Sequence, residues 1–585
     1  WPPPRVRVRP PGADEREHPD RRPPGVRLEL LRNEVHGADT RGLVVDVDPA
    51  GDRFTWSVAN SADHPVAVDQ ITLVFAVPDV RFPLRLFRNG YQSWSVTDAA
   101  AFGTDQDPST ADTLPFLRDM HHADRDPAAA GDLRSEQVTV LRDHGDRQAL
   151  VGFIGGRHHD GTIRLRPTPS GLEVRAEATL GGAVLDAGAR RSLHPVVVRS
   201  GDDPAELLAE WAKDVGQAEH ARVTAPFQVG WCSWYHYFDG VTEADITANL
   251  ARAGEWPFDV FQLDDGYQAA VGDWLSTNEK FPSGVEGVAA AIAAAGFVPG
   301  LWIAPFIAAP SSELALAHPE WLAREADDRT KPMIGMFNDI WGGFMYGLDV
   351  TRSDVLDHLA QVAADLVDAG YCFLKLDFTF SAKQQGRYAD ATLTPAERVR
   401  GAYEAIRRGA GEDTFILGCG APLGSLVGVV DGMRIGPDVG PHWATDPLTA
   451  PLPGYRETQP STRGAWRSTL ARAFLHRQLW LNDPDCLMLR PSETHLTTEQ
   501  ARSWALAVGV SGGMAVVSDD LALLGPNEQA LLDEVLALGR ASDAAALAGA
   551  PPRTPDLLDG PIPAVLEAAG HTLVGDPECG SASLT

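Results

Sequence analysis

The chain has 585 residues, too many for one hydrophobic core, so two or three domains are expected. Its 50 basic residues stand against 80 acidic ones, and the resulting charge of −30 repels phosphate backbones and argues against a nucleic-acid partner. Hydrophobic residues make up 44% of it, but no uncharged apolar run reaches the length of about 20 residues that a membrane span needs, so no membrane association is expected. The 5 cysteines include no CxxC pair, which speaks against a zinc site or a disulfide framework; free buried thiols, with Cys232, Cys372, Cys419 and Cys486 in or beside strands, point to a reducing, cytoplasmic compartment. No basic start followed by an apolar stretch marks a secretory signal, and the chain opens on Trp1 rather than Met, as a trimmed or processed chain would.

Residues 1–25 are rich in Pro, Arg and acidic side chains without periodicity, and a loose leader is expected there. From 26 to 202, short alternating runs such as GLVVDVDPAG (42–51), VAVDQITLVFAV (66–77) and GLEVRAEATL (171–180) are punctuated by turn residues and predict a large all-β sandwich. DPAELLAEWAKDVG (203–216) reads as a linker helix. After Pro226 apolar runs alternate with helical stretches: FQVGWCSW (227–234), FDVFQLDD (258–265), FVPGLWIAPF (297–306), YCFLKLDF (371–378), FILGCG (415–420), GMRIGPD (432–438), LWLNDPD (479–485) and GMAVVSDD (513–520). Eight such strands over roughly 320 residues predict a (β/α)8 TIM barrel, its domain spanning 203–545 with the linker helix. The remainder, 546–585, is Pro- and Ala-rich with β-like residues near GHTLVGD (570–576); a short, β-rich C-terminal region is expected.

Barrel active sites lie at the C-terminal ends of the strands. Here those ends carry Trp234 and Tyr235, Asp264 and Asp265, Trp302, Asp377, Cys419, Asp438, Asp483 and Asp485, and Asp519 and Asp520. A carboxylate in that position is costly to bury unless it is paired or used. Asp377 and Asp438 close the fourth and sixth strands on one rim, and paired carboxylates among aromatic rings point to glycoside hydrolysis; retaining enzymes hold the two carboxyl groups about 5–5.5 Å apart. Strand periodicity puts Lys375 and Asp377 on one face, so the ammonium is expected to keep Asp377 ionised, as suits a nucleophile. Asp438, in a Gly-Pro-Asp turn beside His442 and Trp443, is expected in a more apolar setting that suits a proton donor, with Arg434 opposing. Strand-end capping or internal ion pairs remain an alternative for both acids. Asp264 and Asp265 can each accept sugar hydroxyls, or can cap the turn that follows. A metal centre is disfavoured, since His236 and His442 stand apart and no HxH pair occurs.

Several of these segments, together with NGYQSW (89–94), GWCSWYHYF (230–238), VFQLDDGY (260–267), GDWL (272–275), FILGCGAPL (415–423), VDGMRIGPD (430–438) and WLNDPDCLMLR (480–490), resemble the α-galactosidases of glycoside hydrolase family 36, in that family's order. The resemblance implies an N-terminal β-supersandwich, a catalytic barrel and a C-terminal β-sandwich. It implies a retaining exo-α-galactosidase acting on oligosaccharides such as melibiose and raffinose through a covalent galactosyl-aspartate, with no cofactor and no metal. Transglycosylation and α-N-acetylgalactosaminidase activity are the alternatives within the family, and its range from monomer to tetramer admits a homo-oligomer. Carried over by motif, Asp377 is the nucleophile and Asp438 the acid/base. Asp264, Asp265, Lys375 and Arg434 would bind galactose hydroxyls; Trp302 and Trp234 would shape the pocket, with Tyr235 beside the nucleophile. Cys419 and Gly420 would lie near the sugar's 2-position, and Trp94 would reach over the mouth from the N-terminal domain. Tyr91 stands where relatives often carry Trp, and the C-terminal region is shorter than the family's sandwich.

Overall fold

Alternation along the first third of the chain puts every second side chain inward, as in Leu43, Val45 and Val47 of the strand Leu43–Ala50. The computed structural model describes residues 7–8, 26–103, 105, 120–122, 132–169, 171–445 and 458–585. Two sheets face each other. One runs through Leu43–Ala50, Arg53–Asn60, Arg190–Gly201, Gln148–Phe153, Val138–Arg142, Arg85–Arg88 and Asp98–Ala101; the other through Glu29–His36, Val66–Ala76, Gly171–Leu185, Asp160–Thr168 and Leu133–Glu136. Val58, Ile71, Phe75, Phe153, Val174 and Val196 fill the space between them. This is the expected sandwich, in an extended form. Of the leader expected over 1–25, only Arg7–Val8 are described, as a two-residue strand beside Asp46–Val47; the rest lies outside the described residues.

The linker helix Pro204–Glu219 starts where the Asp203 side chain accepts the amides of Ala205 and Glu206. It is fastened to the sandwich by Trp211, whose indole donates to Phe153 O at 2.9 Å.

Each of the eight later apolar runs contains one strand: β1 (Val229–Cys232), β2 (Val260–Leu263), β3 (Val298–Ile303), β4 (Phe373–Leu376), β5 (Phe415–Gly418), β6 (Gly432–Arg434), β7 (Leu481–Asp483) and β8 (Ala515–Val517). All neighbours are parallel, and the order runs from β7 down to β1 and then to β8. Met514 N donates to Asn482 O at 2.9 Å, and Leu487, beyond β7, bridges Val517, which brings β8 against β7 and nearly closes the ring. Covered on both faces, such strands read as near-continuous apolar runs. Capping boxes at Thr242–Asp245, Thr394–Glu397 and Thr497–Gln500 start three of the surrounding helices. The β3–β4 connection carries an excursion that the periodicity did not foretell, the hairpin Ile334–Asn338 with Gly343–Gly347.

Behind the barrel, the helix Pro526–Leu547 leads to an antiparallel sheet of Val565–Ala568, His571–Asp576 and Ser581–Leu584. The C-terminal β-sandwich implied by the resemblance is reduced to this one sheet among the described residues. Trp443 and Trp466 tie it to the barrel by donating to Pro577 O and Pro563 O at 2.9 and 3.0 Å. Cys232, Cys419 and Cys486 are buried free thiols; Cys372, expected to be buried, is exposed, because it precedes β4 on the barrel's N-terminal face. No helix among the described residues is long and apolar enough to cross a membrane.

The two large units meet at the barrel mouth. The loop 89–94 leaves the sandwich and is gripped by fully buried Arg472, which donates to the carbonyls of Gly90 (2.9 Å), Gln92 (3.3 Å) and Ser93 (3.1 Å), and to Ile435 O (2.6 Å) beyond β6.

Candidate active site

Asp377 follows the last residue of β4. Trp302 Nε1 on β3 donates to its Oδ2 at 3.0 Å, and the amide of Phe378 donates to Oδ1 at 2.7 Å. Lys375 shares the inward face as its spacing requires, but its ammonium crosses the ring to Asp264 Oδ2 at 2.8 Å. It acts on Asp377 only through space. Burial raises the Asp377 carboxyl above its usual range, and the Asp438 charge adds to this, against the pull of Lys375. The expectation that Lys375 holds this acid low is therefore corrected: enclosure outweighs the cation.

Asp264 Oδ2 also accepts Gln262 Nε2 at 2.6 Å, and the Asp264 amide donates to Ser233 Oγ at 2.9 Å. Asp265 takes Gln268 Nε2 on one oxygen at 2.6 Å and Trp341 Nε1 on the other at 2.8 Å. Burial pushes its carboxyl up to about 6.

On the opposite wall Asp438 lies 3.1 Å from Arg434 Nη1, with a side chain that is 31% exposed. The apolar enclosure expected around it is absent, because the Gly-Pro-Asp turn projects it from β6 into the mouth beside a guanidinium. Arg434 also reaches Asp483 Oδ2 at 3.0 Å and Asp485 Oδ1 at 2.8 Å. Tyr235, implied to stand beside the nucleophile, donates its hydroxyl to Asp485 and so belongs to the Asp438 wall.

Cys419 and Gly420 follow β5. Burial, reinforced by the charge of Asp377, drives the Cys419 thiol well above its usual range. Gly420 has φ +50, and a Cβ there would meet Trp94 Cη2 at 2.8 Å and Asp377 Oδ1 at 2.9 Å. Glycine is what lets the sandwich loop and the β4 carboxylate approach each other. The Gly420 amide donates to Ser93 Oγ at 3.0 Å, and Trp94 packs edge-on against Phe378 at 5.0 Å. Trp341 completes the aromatic wall, 5.0 Å from Phe378 and 6.0 Å from Trp302. Trp234 sits half-buried on the rim, edge-on to Phe238 at 5.3 Å, with no bond to the carboxylates among the described residues.

Sequence reasoning left Trp341, Gln268, Phe378 and Ser93 unassigned, and it noted Asp485 only as a strand-end acid. Gln268 lies within reach of the LDDG turn and Asp485 repeats the acid of NDPD, so both had a local signal. Trp341 had none. Among the described residues, no group of three or more His, Cys, Asp or Glu side chains is placed to hold a metal ion.

Two carboxylates on one rim of a barrel, further acids that can accept hydroxyls and a wall of aromatic rings are features that suit glycoside hydrolysis. A family model described as Melibiase matches residues 224–397. α-Galactosidase AgaA of Geobacillus stearothermophilus is 30% identical over 173 residues, 28% of this chain and 22% of that protein; the sequence match thus spans under a quarter of this curated relative. The structure of an α-galactosidase from Thermus thermophilus, in complex with p-nitrophenyl α-D-galactopyranoside, superposes with a TM-score of 0.66 at 28% identity, covering 82% of this chain and 92% of that one. A family 36 α-galactosidase structure from G. stearothermophilus shares the fold, with a TM-score of 0.54 at 12% identity over 88% of this chain and 74% of that one. The chain is thus similar to the melibiases over residues 224–397 and, across most of its length, to a solved α-galactosidase.

Proposed function

We propose that the chain is a retaining exo-α-galactosidase, releasing terminal α-linked D-galactose from oligosaccharides such as melibiose and raffinose. The observation that carries this reading is the asymmetry of the two carboxylates. Asp377 is enclosed and oriented by the Trp302 indole and the Phe378 amide, as a nucleophile that must meet one carbon requires. Asp438 is partly open beside Arg434, as a group that must meet first a leaving oxygen and then water requires. The T. thermophilus relative, also solved in complex with stachyose (26% identity, TM-score 0.64, covering 82% of this chain and 97% of that one), supports an oligosaccharide substrate.

In the first step an Asp377 oxygen bonds to the anomeric carbon while the glycosidic bond breaks and Asp438 gives its proton to the departing oxygen. In the second, Asp438 takes a proton from water, whose oxygen displaces Asp377 and returns the α-anomer. Asp264, held by Lys375, and Asp265, held by Trp341 and Gln268, present oriented oxygens to the sugar's hydroxyls. Asp377→Ala should lower turnover on nitrophenyl α-galactoside by on the order of 10⁴-fold or more, and azide should restore it with β-galactosyl azide as product. Near-normal turnover in that variant would refute the assignment.

A further inference from the structure

We propose that Asp485 is the positioning residue of the acid/base: it pins the turn that carries Asp438 and contends with Asp438 for Arg434. The inference rests on the reading of Asp438 given above.

Asp485 is fully buried, and its carboxylate is taken up by other groups of the chain. Four donors converge on its carboxylate. Oδ2 accepts the Val439 amide at 2.8 Å and the Tyr235 hydroxyl; Oδ1 accepts its neighbour's amide, Cys486 N, at 2.7 Å and faces Arg434 Nη2 at 2.8 Å. Val439 is the residue after Asp438, so the peptide that follows the acid/base is held directly. The Asp438 carbonyl accepts Ser461 N at 2.9 Å. The turn is therefore fastened at two points, one on the chain after β7 and one at the helix Thr462–Ala471.

The backbone supports the same assignment independently. Asp485 has φ +89, a region that residues other than glycine seldom occupy. Such strain persists where the surrounding structure over-determines it, typically at functional sites. Here it turns the side chain from β7 towards β6 and the Asp438 turn.

Charge gives the arrangement its consequence. Arg434 alone serves Asp438, Asp483 and Asp485, at 3.1, 3.0 and 2.8 Å. One cation divided among three carboxyl groups grips each of them less. Without the Asp485 charge, Arg434 would be free to close on Asp438, drawing its carboxyl into the ion pair and away from the glycosidic oxygen it must meet. Burial pushes Asp485 up to about 7, which keeps it near the protonation balance of a neutral solution.

The test compares leaving groups. A sugar leaving group needs the proton; a dinitrophenolate leaves without it. Asp485→Asn keeps the size and an oxygen for Val439 but removes the charge. Its kcat/KM on melibiose should fall by about 100-fold, the scale of general acid catalysis, against under about fivefold on dinitrophenyl α-galactoside. Tyr235→Phe, which removes one donor and leaves the charge, should show the same split at smaller size and decides the matter if the Asn variant fails to fold. Equal losses on both substrates, or undiminished melibiose cleavage, would overturn the proposal. Asp438→Ala is the reference: if that variant does not distinguish the leaving groups, the acid/base reading fails; if it does and the Asp485 and Tyr235 variants do not, this inference alone fails.

Discussion

Trp341 shows how one side chain can serve the site from far along the chain. Its indole N–H holds Asp265 at 2.8 Å, while its ring closes the aromatic wall beside Trp302 and Phe378. A hydrogen bond to a charged or chargeable group contributes about 1.5–3 kcal/mol. Trp341→Phe keeps the ring and removes the bond, so kcat/KM on nitrophenyl α-galactoside should fall by about 10- to 100-fold with little change in Tm. A loss below about threefold would show that Gln268 alone orients Asp265. At this scale legibility follows locality. Asp264, Asp265, Asp377 and Asp438 could be picked out because strand-end acids are conspicuous in any apolar run. Lys375 was placed on the correct face, yet its partner is Asp264 just beyond β2, since a strand's period says nothing of what stands across the ring. The convergence of Tyr235, Arg434 and Val439 on Asp485 is tertiary and leaves no trace in LWLNDPD.

The elements that could be read were those whose burial marks their own sequence. Parallel strands covered on both sides become short apolar runs, and all eight were legible for that reason. Capping boxes at Thr242 and Thr394 start two of the helices between them. The hairpin Ile334–Asn338 with Gly343–Gly347 was not legible, because its residues are largely half-exposed and follow neither period. Nor could the grip of Arg472 on the loop 89–94 be foreseen, since the donors and acceptors lie in different domains. That grip is testable. Arg472→Met leaves the carbonyls of Gly90, Ser93 and Ile435 without this donor in a dry interface, each omission costing about 1–3 kcal/mol. Urea unfolding should report a loss of about 3 kcal/mol or more, and activity should fall with it as Ser93 and Trp94 lose their hold beside Gly420. A variant equally stable to urea would show that the loop is held by its other contacts.

For the whole molecule, the join between sandwich and barrel predicts an acid limit. His158 N donates to His194 Nε2 at 3.0 Å, and His194 N donates to His159 Nε2 at 2.9 Å. His159 Nδ1 donates in turn to Asp160 O at 2.8 Å. Both accepting rings must be neutral, so a proton on either Nε2 breaks a bond. Glu219, 3.9 Å from His194 Nδ1, and Arg157, which pairs with Glu219 at 2.5 Å, complete the surroundings. Burial lowers His159 from 6.5 to about 4 and His194 well below 6.5. The unfolded chain therefore takes up protons that the folded one refuses. The stability these rings contribute is complete above pH 6.5 and is lost as pH falls towards about 4. Each should remove on the order of 1 kcal/mol per pH unit in that window. Thermal unfolding between pH 7 and pH 5 should show Tm falling, and His159→Gln should flatten the slope; parallel slopes for the two proteins would exclude the histidines as the cause.

The loop 89–94 has a consequence in time. Gly90 and its anchor Arg472 are 382 residues apart in the chain, and Gly420 lies 327 residues beyond Ser93. At about 5–20 residues per second of synthesis, the loop waits roughly 20–80 s for the arginine that will hold it. The sandwich can be finished long before then, with one strand of carbonyls left facing water. The mouth of the barrel is thus completed only when Arg472 has been made, long after the sandwich that supplies its loop.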